Sequence, residues 1–76
     1  MTFYNMLSNI LNTTTTRARR SNWNNSFITR EFNQRTKKIE VVLYMKYTFS
    51  DDYIKSLYIP MNEDLVAEDW EVETIG

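Results

Sequence analysis

Cysteine and histidine are both absent from this 76-residue chain. Without cysteine there are no disulfides. Without histidine there is no imidazole acid–base chemistry. The two absences together exclude zinc fingers, Cys-His pairs and Ser-His-Asp triads, so only carboxylates and hydroxyls remain for catalysis. Glycine occurs once, as Gly76. No glycine-rich phosphate loop is therefore possible, and turns are expected to draw on Asn, Asp or Ser for unusual backbone angles. No apolar run approaches the roughly 18 residues of a membrane span, and no secretory leader is visible. These absences predict a cytosolic chain with no membrane partner.

Length predicts one domain over residues 1–76. A chain this short buries only about 60% of its unfolded surface, so its core is marginal. Yet 42% of the residues are hydrophobic and 14% aromatic, more than so small an interior needs. The surplus points to apolar surface buried between subunits. Charge is segregated along the chain. Up to Lys38 the bases Arg17, Arg19, Arg20, Arg30, Arg35, Lys37 and Lys38 face Glu31 alone, for about +6. From Ile39 onward Lys46 and Lys55 face nine acids, for about −7. The plain reading is that the halves neutralise each other, within the fold or across subunits. The sharper one is a basic pocket for a phosphate-bearing ligand.

Periodicity predicts an α+β fold. Thr2 caps a helix whose apolar stripe is Phe3, Met6, Leu7, Ile10 and Leu11, with Asn12 as a left-handed stop. Strands are expected over 14–20, with Ala18 inward, and over 26–32. A turn over 21–25 separates them, and a polar, basic loop follows over 33–38. Residues 39–49 alternate with a period of two. Ile39, Val41, Leu43, Met45, Tyr47 and Phe49 form one face, and Val42 and Tyr44 lie on a second, partly apolar face. A return strand over 53–59 makes an antiparallel hairpin and ends at Pro60. A short helix over 62–67 leads into a last strand over 69–74, with Trp70 and Val72 inward. The expected architecture is an amphipathic helix packed on a small antiparallel sheet, with the short helix before the final strand.

Arg17-Ala18-Arg19-Arg20-Ser21-Asn22-Trp23-Asn24-Asn25 is the most ligand-like segment. Guanidinium groups pair bidentately with phosphate, an indole offers a face for a base, and Asn supplies both donor and acceptor. An arginine-rich strand beside a tryptophan at a turn is more often a surface strand and a packing anchor. Asp64, Glu68 and Asp69 form a run of carboxylates, but neither a nucleophile nor a metal-organising loop accompanies them. No catalytic residue, metal or cofactor is expected. The tyrosines of the central hairpin read as cross-strand aromatic pairs.

Three features occur in order along the chain. A short amphipathic helix opens it. A basic strand ends in Arg20-Ser21-Asn22-Trp23-Asn24. The C-terminal part reads Pro60, then Asp64-Leu65-Val66-Ala67-Glu68-Asp69-Trp70-Glu71. In this the chain resembles the phage Thoeris anti-defence two family and its relatives. The resemblance implies a small α+β domain that acts in the host cytoplasm as a homo-oligomer with pockets between subunits. It also implies binding without catalysis: cyclic ADP-ribose isomers or cyclic dinucleotides, made as immune signals, are held intact. Carried over by position, Arg20 and Trp23 are the leading ligand contacts, with Arg19, Asn24 and Asn25 beside them. Asp69 and Trp70 match the signature and read first as scaffold, with Asp69 as a further contact. The chain departs from the family at Asn12-Thr13-Thr14, in its short basic 33–38 segment, and at Met61. A protein-binding inhibitor on the same fold, using the acidic half, is the alternative. That acidic half argues against a nucleic-acid partner.

Overall fold

The computed structural model describes residues 1–13, 16–47, 49 and 51–74. The elements in chain order are α1 (Phe3–Asn12), β1 (Thr16–Arg20), β2 (Ser26–Asn33), β3 (Lys38–Lys46), β4 (Tyr53–Leu57), α2 (Asn62–Val66) and β5 (Trp70–Thr74). The strands form one sheet in the order β4-β3-β2-β1-β5, and every neighbouring pair is antiparallel. The α+β arrangement expected from the sequence is the one found.

Helix α1 starts where Thr2 accepts a hydrogen bond from the Asn5 N–H at 3.3 Å. It lies across β5, β1 and β2. Phe3, Met6 and Ile10 are buried beneath it and Leu7 packs alongside, but Leu11 is exposed at the edge of the stripe. The helix ends differently from expectation. Asn12 is its last residue, and Thr13 caps it in an extended conformation rather than a left-handed one. Other groups satisfy the last carbonyls, which removes the need for a left-handed cap. The Thr13 hydroxyl donates to Asn9 O at 2.8 Å, and the Arg30 guanidinium donates to Leu11 O.

The core consists of Phe3, Met6, Ile10, Ala18, Ile28 and Trp70. Ala18 is opposed to Ile28 on one side and Val72 on the other. Its small side chain in mid-sheet leaves room for α1 to approach. Full burial of a side chain such as Met6 or Ile10 contributes about 1.5–3 kcal/mol.

Strand β3 is shorter than its alternation. It ends at Lys46; Thr48 lies outside the described residues, and Phe49 is fully exposed. Only Val41 and Leu43 of the alternating face reach the core. The reason is that α1 does not extend over β3 or β4. Val42 is buried on the opposite face, as its partly apolar surroundings imply. Phe32, Ile39, Met45 and Ile54 share one face by register and stay exposed. The other strand boundaries shift by one or two residues; Thr14 and Thr15, proposed for the first strand, lie outside the described residues.

The β2–β3 turn corrects the expectation that Asn, Asp or Ser would take unusual backbone angles. Lys37 is the described non-glycine residue with positive φ, at 60°. Asn33 imposes this. Its side-chain oxygen accepts from Arg35 N and Thr36 N, and its carbonyl accepts from Lys37 N at 2.8 Å. These bonds tighten the turn until Lys37 must adopt the left-handed region.

Candidate functional site

Strand β1 separates what the sequence sets side by side. Alternation turns Ala18 and Arg20 toward the helix-covered face and Arg17 and Arg19 toward the open one. The candidate contacts accordingly divide into two groups. Arg20, Trp23 and Asp69 sit at the edge of the core, while Arg19, Asn24 and Asn25 line a pocket on the open face.

The first group is a closed network. Arg20 Nε donates to Asp69 at 3.1 Å, and Arg20 Nη1 lies 3.5 Å from Asp64. Ser21 donates to Asp69 at 2.7 Å. Asp64 is buried and also accepts from Tyr58 Oη at 2.8 Å and from Met61 N at 3.2 Å. The Met61 bond supplies the reciprocal half of a helix cap for α2, a role that a methionine at the cap position cannot fill from its own side chain. The Asp64 carbonyl accepts from Trp70 Nε1 at 3.0 Å. The Trp23 ring meets Trp70 edge-on at 5.2 Å and Tyr58 at 6.5 Å. Proton equilibria follow from these contacts. The hydrogen bond from Ser21, then that from Arg20, holds the Asp69 carboxyl below its usual range. Asp69, followed by Asp64, raises Arg20. Burial and then the bond to Asp64 push the Tyr58 phenol well above its ordinary value.

The second group lines an open pocket of about 90 Å³, which Arg17, Ser26, Phe27, Tyr53 and Glu73 line with it. The Arg17 guanidinium lies 4.8 Å from the centroid of the Phe27 ring. Phe27 stacks on Tyr44 at 5.2 Å and meets Tyr53 edge-on at 5.4 Å. Strand pairing sets Glu73 opposite Arg17 and Glu71 opposite Arg19. Arg17 donates to Glu73, and Arg19 Nε is 3.6 Å from Glu71. Next to this pocket, Tyr44 and Lys55 both donate to Glu31. The Tyr44 bond, then Lys55, lowers the Glu31 carboxyl, and Glu31 in turn raises Tyr44 and Lys55.

The pairs between β1 and the C-terminal segment account for the segregated charge. The arginines of β1 meet Glu73, Glu71, Asp69 and Asp64 within one chain. Sequence reasoning passed over Phe27, Tyr53 and Glu73. The two-residue period of β1 carried the signal that Arg17 and Arg19 share a face apart from Arg20. The approach of Tyr53 depends on the β4-β3-β2 order, which no local pattern encodes. Among the described residues, no group of three or more carboxylates is placed to hold a metal ion.

Neither curated proteins nor solved structures yield a match to this chain. A family model does, across both groups of side chains and almost every element that positions them. That match supports a phage anti-defence role, and a binding role rather than a catalytic one. Residues 1–73 fit the Tad2-like model, described as the Thoeris anti-defense 2-like domain, and the chain belongs to that family.

Proposed function

We propose that this protein binds a cyclic nucleotide immune signal, a cyclic ADP-ribose isomer or a cyclic dinucleotide, and sequesters it without degrading it. Family membership supports an anti-defence role, and the open pocket carries the reading. Two guanidinium groups, two carboxamides and an aromatic floor converge there. Guanidinium–phosphate pairing and stacking on Tyr53 supply the affinity. Arg19, Asn24 and Asn25 are the direct contacts. Arg20, Trp23 and Asp69 hold the turn that presents them.

About 90 Å³ is well short of the roughly 300–1,000 Å³ of a complete small-molecule site. The remaining wall comes from a second copy of the chain. The exposed Phe32, Ile39, Met45 and Ile54 lie on the helix side of the sheet, away from the pocket, and offer the homo-oligomer a second, separate apolar contact. The protein would act in the host cytoplasm. The alternative, an inhibitor that docks its acidic half on a host protein, has less support. Asp64, Asp69, Glu71 and Glu73 already engage arginines of β1. Equilibrium dialysis against labelled cyclic ADP-ribose isomers and cyclic dinucleotides tests the proposal. Retention by the wild-type protein that is lost in Arg19→Ala supports it. Retention of none, together with capture of a single host protein, favours the alternative.

A further inference from the structure

We infer that Glu73 is a built-in stand-in for a ligand's anion. In this view the open pocket is a subsite for one phosphate group, which enters by displacing the Glu73 carboxylate from Arg17. The inference rests on the nucleotide-binding reading above and specifies how that site is occupied and regulated.

The two members of the Arg17–Glu73 pair are held very differently. Arg17 is about one-third exposed, and its guanidinium rests over Phe27. Phe27 is itself fixed between Tyr44 and Tyr53. Glu73 is half exposed on the edge strand β5. When the pair opens, the carboxylate swings into water at little desolvation cost, while the guanidinium remains over the ring. Exposed ion pairs of this kind are worth only about 0.2–1 kcal/mol, so a better anion displaces the carboxylate readily. A phosphate group is a better anion here for two reasons. It carries more acceptor oxygens than a carboxylate, so it can bond further donors while it holds the guanidinium. It would also face Asn24 and Asn25, which line the same small volume and carry amide donors.

The surrounding charges make Glu73 decisive. Arg17 and Arg19 reach the site from β1. Lys46 Nζ lies over the Tyr53 ring, 6.0 Å from its centroid. Against them stand Glu71 and Glu73 on β5. Glu73 borders the pocket and Glu71 does not. Removal of the Glu73 charge thus both empties the anion position and leaves the cations in excess.

The test is calorimetric titration of the full-length protein with inorganic pyrophosphate and, separately, with adenosine monophosphate, at low salt. Wild type, Glu73→Gln, Glu71→Gln and Arg17→Ala are compared, and thermal melts confirm that each is folded. Glu73→Gln should bind both probes about fivefold more tightly than wild type, the most that loss of an exposed competing pair supplies. Glu71→Gln should change little, and Arg17→Ala should lose binding. A preference for the nucleotide assigns the phosphate to a nucleotide, and a preference for pyrophosphate assigns it to a free inorganic anion. Equal binding by wild type and Glu73→Gln, or no binding by either, overturns the inference. If the wild type still retains a cyclic nucleotide in that case, the sequestering function stands and only the stand-in role fails. If Glu73→Gln tightens phosphate binding but no cyclic nucleotide is retained, the subsite stands and the sequestering function fails.

Discussion

Asp64→Asn removes one charge from the closed network and keeps its shape, which makes it a sharp probe of the scaffold. In the native protein one carboxylate oxygen accepts from Tyr58 Oη and Met61 N, while the other faces Arg20. An asparagine has only one oxygen. If that oxygen keeps Tyr58 and Met61, the amide NH2 points at the Arg20 guanidinium, and two donors face each other. If the amide flips, Arg20 keeps an acceptor, but Tyr58 and the first turn of α2 lose theirs. Either way a donor beside a nearly buried group goes unmet, since the Asp64 side chain is only 9% exposed. Breaking a fully buried ion pair costs about 3–5 kcal/mol, and an unmet buried hydrogen bond about 1–3. Asp69 still neutralises Arg20, so the expected loss lies near the lower figures, at about 2 kcal/mol. For a domain of this size that lowers the melting temperature by about 8–16 °C. Urea unfolding followed by tryptophan fluorescence gives the free energy, and circular dichroism gives the melting point. The double variant Asp64→Asn with Tyr58→Phe should cost less than the sum of the single ones, because both act on the same bond. A loss below about 0.5 kcal/mol, or strict additivity with Tyr58→Phe, would refute the argument that this network holds α2 to β1.

Trp70→Phe keeps an aromatic ring in the core but removes the Nε1–H donated to the Asp64 carbonyl; unfolding free energy should fall by about 2–3 kcal/mol. Alkaline stability should depend on Tyr58, whose phenol is held protonated above its ordinary value by burial and by Asp64. Its contribution is complete below pH about 10 and is lost as pH rises further. Urea midpoints should therefore fall as pH rises above about 10 in wild type and less steeply in Tyr58→Phe. At the acidic end the sign reverses. Asp69 and Glu31 have lowered values, so they stabilise above their unfolded-state range and lose that effect as pH drops, which the same midpoints between pH 5 and 2 would record. Ile39→Glu charges the exposed face of β3 without touching the core. Light scattering should show a smaller species with an unchanged melting profile for the isolated subunit, and an unaltered mass would place the subunit contact elsewhere.

The fold was legible wherever a period carried it. The stripe of α1, the alternation of β3, and the inward Trp70 and Val72 of β5 all follow from local pattern. What escaped was set by distant neighbours. Ile39 and Met45 alternate as core residues should, yet they lie beyond the reach of α1 and stay exposed. The left-handed Lys37 results from the Asn33 side chain rather than from its own preference. Which face of the sheet each candidate side chain takes was only partly legible. Arg19, Asn24 and Asn25 do reach an open pocket, but Arg20 and Trp23 are drawn inward by Asp64, Asp69, Tyr58 and Trp70. The period of β1 sets Arg20 apart from Arg19, but its acidic and aromatic partners arrive from the far end of the chain, so no local pattern could reveal that this inner group is closed. The same long-range pairing explains the split charge, since β5 is the strand that meets β1.

The most direct measurement of the central claim is the identity of what the protein keeps. Purified protein is incubated with a panel of cyclic ADP-ribose isomers and cyclic dinucleotides and freed of unbound material. It is then denatured, and the released compound is identified by mass spectrometry. Sequestration predicts one member of the panel released intact, in stoichiometric amount from the wild type and in none from Arg19→Ala. Release of a cleaved product would make the protein an enzyme, and release of nothing would contradict nucleotide binding altogether.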